Sequence, residues 1–351
     1  MNEQSRFNPD KLRLLRESRA MSQSEVAREL KITQAAFSKL ESGDLAPSEE
    51  MQAKIAEFFG YPIPYFYEET DEIPSGLIFH RKRSALPAKE RARIEAEARL
   101  RLLDVVKMLK ITSRRSNLID REGRSPIEMA KALRKHWRAT VSKPIENLVA
   151  LLEKNDVLVL SFDFGSDKLD GFFLCVTEDF VCIALNDATV FTPDRRRFTL
   201  AHELGHALLH REQFPDDDAE KEANEFASEF LAPASAFKKD VKKPITLPLL
   251  GDLKRKWKIS MAAALYRANT TGRVNDREYR RLCITLSSMG FRKREPLCGL
   301  APEKPNLLLA IVEECHQKIG ENALLDYLSL NERVFQLRYL LPNSKEVDVS
   351  P

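Results

Sequence analysis

The sequence lacks the features that would place it outside the ordinary globular proteins. No stretch approaches the roughly 18 consecutive apolar residues of a membrane span, and the polar start MNEQSRFNPD has no apolar segment of the kind found in signal peptides. The five cysteines form no C-x-x-C pair, which argues against a disulfide framework and against a structural zinc knuckle. These absences predict a cytoplasmic protein that has no membrane partner.

Length and composition predict more than one folded domain. The chain has 351 residues, of which 43% are hydrophobic and 31% charged, so it can bury a sizeable core. The net charge of +3 conceals a basic segment, Arg81–Arg115, in which twelve Lys/Arg face four acids. Such a block is typical either of a nucleic-acid-facing or partner-facing surface or of a solvated helix face, and the sequence leaves these alternatives open.

Residues 8 to 60 carry the signals of a run of short helices. Ser22 and Glu25 form a capping box, Thr33 stands at the start of the next helix, and Gly43 stands just past its end. A tight turn around Leu30–Thr33 joins these two helices, which predicts a helix-turn-helix. The segment that follows, Tyr61–Ser75, contains three prolines and is interpreted as an exposed linker.

Periodicity and helix breakers predict the elements further along the chain. Helices are expected over residues 84–111, 126–137, 144–152, from 192–193 onward, over about 218–231, and for most of the chain after 248. Three short β-branched and aromatic runs predict an antiparallel sheet made of Val157–Phe164, Gly171–Val176 and Phe180–Leu185.

One predicted helix carries the pattern HExxH, at His202, Glu203 and His206. Residues i and i+4 lie on one helix face, so both imidazoles can bind one tetrahedral zinc ion. Glu203 can miss the ion and act as the catalytic base on water whose pKa the metal lowers. The alternative is an ordinary amphipathic helix with exposed His and Glu.

A third ligand is expected from the acidic helix that follows. Glu220 and Asn224 share a face, so Glu220 can bind the metal while Asn224 orients a ligand histidine. Glu222 remains the alternative ligand. His210 lies one turn beyond His206, too far for the same ion; it is a candidate contact for substrate or an oxyanion, or a helix-end histidine that interacts with the dipole.

In the helix-turn-helix, the first residues of the second helix are expected to reach base edges in the major groove. The candidate DNA-binding residues are Gln23, Thr33, Gln34, Ala35, Phe37, Ser38 and Lys39. Gln34 can pair with adenine, while Lys39 and Gln23 can hold phosphate. Because residues 6 to 60 carry nine basic and nine acidic side chains, docking to a protein stays an alternative to DNA binding.

Two resemblances rest on these residues. Residues 11 to 60 resemble a lambda-repressor/Cro-type helix-turn-helix of the XRE class, through Gln23, Ala27, the turn into Thr33, and Leu40-Glu41. Residues 195 to 233 resemble the ImmA/IrrE metallopeptidases through RRRFTLAHELGHALLH and EANEFASEFLAP.

The second resemblance implies a zincin-like fold and a metal-dependent endopeptidase that cuts helix-turn-helix repressors in stress or mobile-element responses. It also implies His202 and His206 as ligands, Glu203 as base and a later carboxylate as third ligand. The metal of the family is usually taken as zinc, with manganese discussed for some members.

The expected organisation is multi-domain and α+β. It comprises an N-terminal all-α helix-turn-helix bundle (8–67), a linker with a basic amphipathic helix (68–120), a central zincin-like α+β metallopeptidase domain (121–245) and a mostly helical C-terminal region (246–351), which is sensory or oligomerising.

Three functional hypotheses follow for these domains. The first is a DNA-binding regulator that cleaves a helix-turn-helix repressor. The second is a regulator, or antitoxin-like repressor, whose peptidase-like domain senses a ligand or metal without cleavage, and the third is self-cleavage in the linker. The expected partners are a double-stranded DNA operator and a repressor substrate, and paired half-sites would suit a homodimer.

Overall fold

The computed structural model describes residues 6–68, 86–188, 191–211, 216–291, 295–296 and 299–340. Its N-terminal bundle consists of α1 (Pro9–Ser18), α2 (Gln23–Glu29), α3 (Gln34–Ser42) and α4 (Glu49–Phe59), followed by a 3₁₀ turn at Ile63–Tyr67. The sequence signals set the boundaries, since Ser22 and Glu25 form a capping box and Thr33 caps α3. Gly43 ends α3 with φ 79°, a conformation that glycine adopts without strain.

The first part of the expected linker, residues 61–68, is not exposed as a whole, and there the prediction of an exposed linker is wrong. Tyr61, Tyr65 and Phe66 are 8%, 1% and 1% exposed, and the backbone N–H of Asn8 donates to the carbonyl of Phe66 at 2.6 Å. Prolines prevent a long helix here, but the aromatic side chains between them have enough apolar area to bury themselves. Residues 69–75 of the expected linker lie outside the described part of the chain.

The basic segment forms a buried central helix, α5 (Ala88–Thr112). Its charged side chains bind neighbouring elements: Lys107 pairs with Glu68 after the N-terminal bundle, and Arg114 pairs with Asp156 at 2.6 Å and with Glu314 at 2.8 Å. For these side chains the interpretation as a nucleic-acid surface is wrong, because apolar stretches between the charges bury the helix. Residues 81–85 lie outside the described part.

The sheet has three strands, β1 (Leu158–Phe162), β2 (Gly171–Thr177) and β3 (Phe180–Asn186), in the order β1-β3-β2. β2 and β3 form the expected antiparallel hairpin, but β1 pairs with β3 in parallel. The fully antiparallel prediction is therefore wrong. The chain between β1 and β2 leaves a gap the width of one strand between them. β3 fills this gap and pairs with both neighbours.

The sheet is covered on both faces because its side chains alternate. Phe180, Cys182 and Ala184 of β3 contribute to a first core with the N-terminal bundle and α5, whereas Val181, Ile183 and Leu185 contribute to a second core. The second core also contains α6 (Pro126–His136), α7 (Leu148–Lys154), α8 (Pro193–Leu209) and α9 (Asp217–Leu231).

One helix starts later than the sequence predicts. α7 begins at Leu148 rather than at Pro144, because Asn147 caps it and the carboxylate of Glu303 accepts the N–H groups of Leu148 and Val149 at 2.9 and 3.0 Å. The capping carboxylate comes from a distant segment, which no local pattern could reveal.

The helices after α9 divide between the two cores. α10 (Ala234–Asp240), α11 (Leu247–Trp257), α12 (Met261–Thr270) and α13 (Asp276–Ser288) pack onto the second core, whereas α14 (Leu307–Ile319), α15 (Glu321–Leu328), α16 (Glu332–Phe335) and a π-helical turn at Gln336–Leu340 pack onto the first. None of the described helices is long and apolar enough to cross a membrane.

A buried polar cluster, the Arg338 cluster, joins the last turn to α5 and to the N-terminal bundle. Arg338 Nη1 donates to Asp104 Oδ2 at 2.7 Å, the hydroxyl of Tyr339 donates to the same oxygen at 2.5 Å, and Arg338 also donates to the hydroxyl of Tyr61. Burial raises the pKa of Tyr61 to about 12, so this phenol stays neutral. The last turn therefore stabilises the first domain.

Candidate metal centre

The two candidate ligand histidines lie on α8, whose start is set by Thr192 as N-cap and by Pro193 in the first turn. Leu200, Ala201 and Leu204 bury one side of the helix in the second core. The spacing of four residues then places His202 and His206 together, with their Nε2 atoms 3.0 Å apart.

α9 can approach α8 closely because Gly205 has no side chain. A Cβ at this position would lie 3.0 Å from the ring of Phe226 and 3.3 Å from the Cα of Ala223. Phe226 and Ala223 are themselves fully buried. The glycine therefore brings the first turns of α9, with Glu220, over the two histidines.

Glu220 completes a three-residue cluster. Its carboxylate oxygens lie 3.6 Å from His202 Nε2 and 3.5 Å from His206 Nε2, and the three candidate ligand atoms all lie within 4.8 Å of one another. Ligand atoms bound tetrahedrally to zinc lie about 3.3 Å apart, given bonds of about 2.0–2.1 Å. Two imidazoles and a carboxylate at this spacing fit zinc, and they fit manganese in their donor types.

Asn224 lies where the sequence predicts it, one turn after Glu220. Its side-chain oxygen is 3.1 Å from His202 Nδ1. An amide oxygen only accepts, so Nδ1 carries the proton and donates, which leaves the Nε2 lone pair of His202 directed toward Glu220.

Glu203 lies beside a cavity of about 660 Å³ that also includes His202, Glu220 and Asn224 in its wall. The rest of the wall comes from the start of β2 and the two residues before it, the first half of α8 with its N-cap, α12 with its preceding turn, and Phe291 and Glu295 after α13. The apolar members of this wall are Leu169, Phe172, Phe198, Ala262, Ala263, Tyr266 and Phe291. A cavity of this size accommodates an extended peptide segment next to the candidate base.

The expectation of a substrate contact for His210 is not met. His210 is 3% exposed, lies outside the residues that line the cavity, and approaches His206 Nδ1 at 3.1 Å and Glu222 Oε2 at 3.0 Å. Burial lowers the pKa of His210, although the hydrogen bond with Glu222 acts in the opposite direction.

Glu222, the alternative third ligand, faces away from the histidine pair. Besides His210 it contacts Arg121, whose Nη2 lies 3.0 Å from Glu222 Oε2. The sequence does not predict this contact, because Arg121 precedes α6 and no local pattern links it to α9.

The helix-turn-helix presents most of the expected DNA-binding residues. Thr33, Gln34, Ala35 and Lys39 are exposed at or after the start of α3, and Ser38 is half-buried. Gln23 is half-buried and oriented by its neighbours, since it donates to Glu41 at 2.8 Å and accepts from Gln34 at 2.9 Å.

The assignment of Phe37 to DNA binding is wrong. Phe37 is 0% exposed and belongs to the first core together with Leu40 and Val26. It lies three residues before Leu40 on the inner face of α3, so the helical period that exposes Gln34 buries Phe37.

Fold and site together define a two-part protein, in which a helix-turn-helix domain is joined to a peptidase-like α+β domain. Comparison with known families agrees: residues 152–269 match the peptidase M78 family model, described as IrrE N-terminal-like domain, and residues 12–66 match a model described as Helix-turn-helix. Both predicted resemblances and the predicted fold class are confirmed. A search of curated proteins finds no match for the chain.

The two matches support a DNA-binding domain and a metallopeptidase-type domain, in the expected order along the chain. The peptidase match extends through most of α12, which contributes Ala262, Ala263 and Tyr266 to the cavity. The cavity wall is therefore formed largely within the matched segment.

Proposed function

We propose that this protein is a DNA-binding transcriptional regulator whose middle domain is a zinc-dependent endopeptidase. The observation that carries the proposal is the arrangement of His202, His206 and Glu220 around one point, with Glu203 in the wall of the same cavity. Manganese is the alternative metal, because the same donors accept it.

The roles of the side chains follow from this arrangement. When bound, the metal supplies Lewis-acid chemistry, which lowers the pKa of water and polarises the carbonyl of the bond to be cut. Glu203 takes the proton of the attacking water and delivers it to the amine that leaves. Phe172 and Phe198 make part of the wall apolar and exclude bulk water from the reacting bond.

The substrate that fits this proposal is a separate protein with a helix-turn-helix, cut in an exposed segment. Self-cleavage loses its support at Tyr61–Glu68, because Tyr65 and Phe66 are almost fully buried. A buried segment cannot extend into a cavity without local unfolding.

For the DNA-binding half, we propose that Gln34 reads a base and that Lys39 contacts phosphate. Both side chains are exposed on α3, and the bond from Gln34 to Gln23 orients the amide before DNA arrives. Two such domains in a homodimer would bind paired half-sites.

One observation favours a second candidate, a regulator that senses a metal or ligand without cleavage. The N-terminal bundle and one face of the sheet share a core, while the opposite face of the sheet packs against α8. A change at the metal site therefore has a packed route to the DNA-binding helices.

The experiment that separates these functions compares new protein N-termini in cells that carry the wild type or Glu203→Gln, under several stresses. We expect fragments that form only with the wild type, because the substitution removes the base and leaves the metal ligands. Glu225→Gln, on α9, is the matched control and should cleave like the wild type.

The metal content of each purified variant completes the comparison. If Glu203→Gln retains its metal and no fragment distinguishes it from the wild type under any stress, the endopeptidase proposal fails and the sensing function takes its place.

A further inference from the structure

Three side chains connect the candidate ligand His206 to the protein surface. His206 Nδ1 lies 3.1 Å from His210 Nδ1, and His210 Nε2 lies 3.0 Å from Glu222 Oε2. Arg121 then holds Glu222 at 3.0 Å and donates to the carbonyl of Leu209 at 3.1 Å. We call His210, Glu222 and Arg121 the His210 relay.

The hydrogen bonds of the relay can run in only one direction, with His206 donating to His210 and His210 donating to Glu222. The Glu222 carboxylate held by Arg121 accepts, so His210 must carry its proton on Nε2. His210 Nδ1 is then an acceptor, and His206 must donate to it from Nδ1. The Nε2 atom of His206, which faces His202 and Glu220, then carries no proton, and this is the form of the ring that binds a metal ion.

The direction of these hydrogen bonds is important because the rings of His206 and His210 are buried. His206 is 0% and His210 3% exposed, so both rings are shielded from bulk water. Arg121 and Glu222 have side chains that are 36% and 33% exposed, which places the ion pair near the surface. The relay therefore fixes a buried imidazole by an ion pair at its outer end.

The other ligand histidine is held differently. His202 donates to the neutral amide of Asn224, whereas His206 reaches a charged carboxylate through a second ring. A carboxylate at the end of such a chain raises the basicity of the ligand nitrogen more than an amide does.

We propose that His210, Glu222 and Arg121 are positioning residues that hold His206 in its metal-binding tautomer and thereby set the metal affinity of the site. The inference rests on the proposed function, because it requires His206 to be a ligand. It assigns Glu222 a role outside the candidate ligand set, through its contacts with His210 and Arg121.

The first test measures zinc affinity by competition with a chromophoric chelator. We expect Glu222→Gln and Arg121→Gln to weaken zinc binding about 10- to 100-fold, the range usual for partners of ligand histidines. The matched controls are Glu225→Gln on the same helix and Arg124→Gln in the same loop, and both should keep wild-type affinity. Glu222→Asp should restore part of the loss because it retains the charge.

The second test reads the tautomers directly, from the ¹⁵N chemical shifts of the histidine rings. In the metal-free wild type, His206 should carry its proton on Nδ1 and His210 on Nε2, and Glu222→Gln should mix the His210 tautomers. A role in packing alone would leave these shifts unchanged, so the readout does not depend on activity or on how stable a variant is.

The outcomes are distinguishable from one another. If the wild type binds zinc, His202→Ala and His206→Ala abolish binding, and Glu222→Gln binds normally, the relay proposal fails while the metal site stands. A wild type that binds neither zinc nor manganese overturns both. A proton on Nδ1 of His210 in the wild type overturns the relay without any variant.

Discussion

At the scale of single residues, the site depends as much on an absent side chain as on the groups that bind. Gly205 lies between the two histidines, and its missing Cβ lets Phe226 and Ala223 of α9 pack against α8. Glu220 reaches the histidines only because α9 comes this close. The glycine therefore helps to form the candidate metal site, although it contributes no ligand atom.

We predict that Gly205→Ala lowers the affinity for zinc and has a smaller effect on the free energy of unfolding. The added Cβ meets the ring of Phe226 at 3.0 Å, so α9 must shift by a few tenths of an ångström and take Glu220 with it. Overpacking costs about 1–3 kcal/mol, of which roughly 1 kcal/mol is offset by the higher helix propensity of alanine. Chelator competition and thermal unfolding of the same sample separate the two effects. Unchanged zinc affinity together with a lowered Tm would contradict the prediction.

At the scale of elements, helix termini are where sequence and structure correspond most directly. Ser125 and Glu128 form a capping box at the start of α6, with Ser125 N donating to Glu128 Oε2 at 3.0 Å and its hydroxyl donating at 2.7 Å. These hydrogen bonds, that of the hydroxyl first, lower the pKa of Glu128.

We predict that the capping box makes a pH-dependent contribution to stability. Because the pKa of Glu128 is lower in the folded chain, its contribution is complete above the ordinary glutamate pKa of about 4.3 and is lost as the pH falls through the folded value. Glu128→Gln should therefore lose less unfolding free energy than the wild type between neutral pH and about pH 3. Denaturant unfolding across this range provides the measurement.

Ser125→Ala provides the check on this interpretation. It removes the partner that lowers the pKa, so it should flatten the pH dependence in the same way, with a loss of about 1 kcal/mol for the missing cap. If Ser125→Ala keeps the wild-type slope, the capping box is not the source of the effect.

The contrast between local signals and contacts of distant residues explains how much of the structure can be predicted from the sequence. Caps, breakers and the HExxH spacing are local, so the boundaries of α2 and α3, the positions of His202 and His206, and the partner residue Asn224 follow from the sequence. The parallel pairing of β1 with β3, the start of α7 at Leu148 and the contact of Arg121 with Glu222 depend on residues far apart in the chain. These residues become neighbours only in the folded protein, so no periodicity of the sequence predicts their contacts.

At the scale of the whole molecule, the three-stranded sheet separates two cores and the last helices close the first of them. Arg338 and Asp104 have side chains that are 8% and 2% exposed, and Tyr61 is the third member of their cluster. The helix-turn-helix domain therefore shares its core with α5, one face of the sheet and the last described helices.

We predict that Arg338→Met destabilises the N-terminal bundle although it changes none of its residues. Removing one partner of a buried ion pair costs about 3–5 kcal/mol, because the carboxylate of Asp104 stays buried without its charge partner. Hydrogen exchange of α1 to α4 and denaturant unfolding should both report the loss. Arg333→Met, at an exposed position on α16, is the matched control and should change stability by less than about 0.5 kcal/mol.

The double variant Asp104→Asn with Arg338→Met tests the cause. It removes both charges and should recover a large part of the stability that Arg338→Met loses. If the double variant is less stable than Arg338→Met, the two side chains are not coupled in the way the hydrogen bonds indicate.

The Arg338 cluster also has a consequence for the time at which the first core is completed during synthesis of the chain. Arg338 follows its partner Tyr61 by 277 positions, so at roughly 5–20 residues per second the ribosome releases Tyr61 about 14 to 55 seconds earlier. During this interval the DNA-binding helices exist without the helices that complete their core. A nascent chain that ends before Arg338 therefore lacks the residues that complete the core of its helix-turn-helix domain.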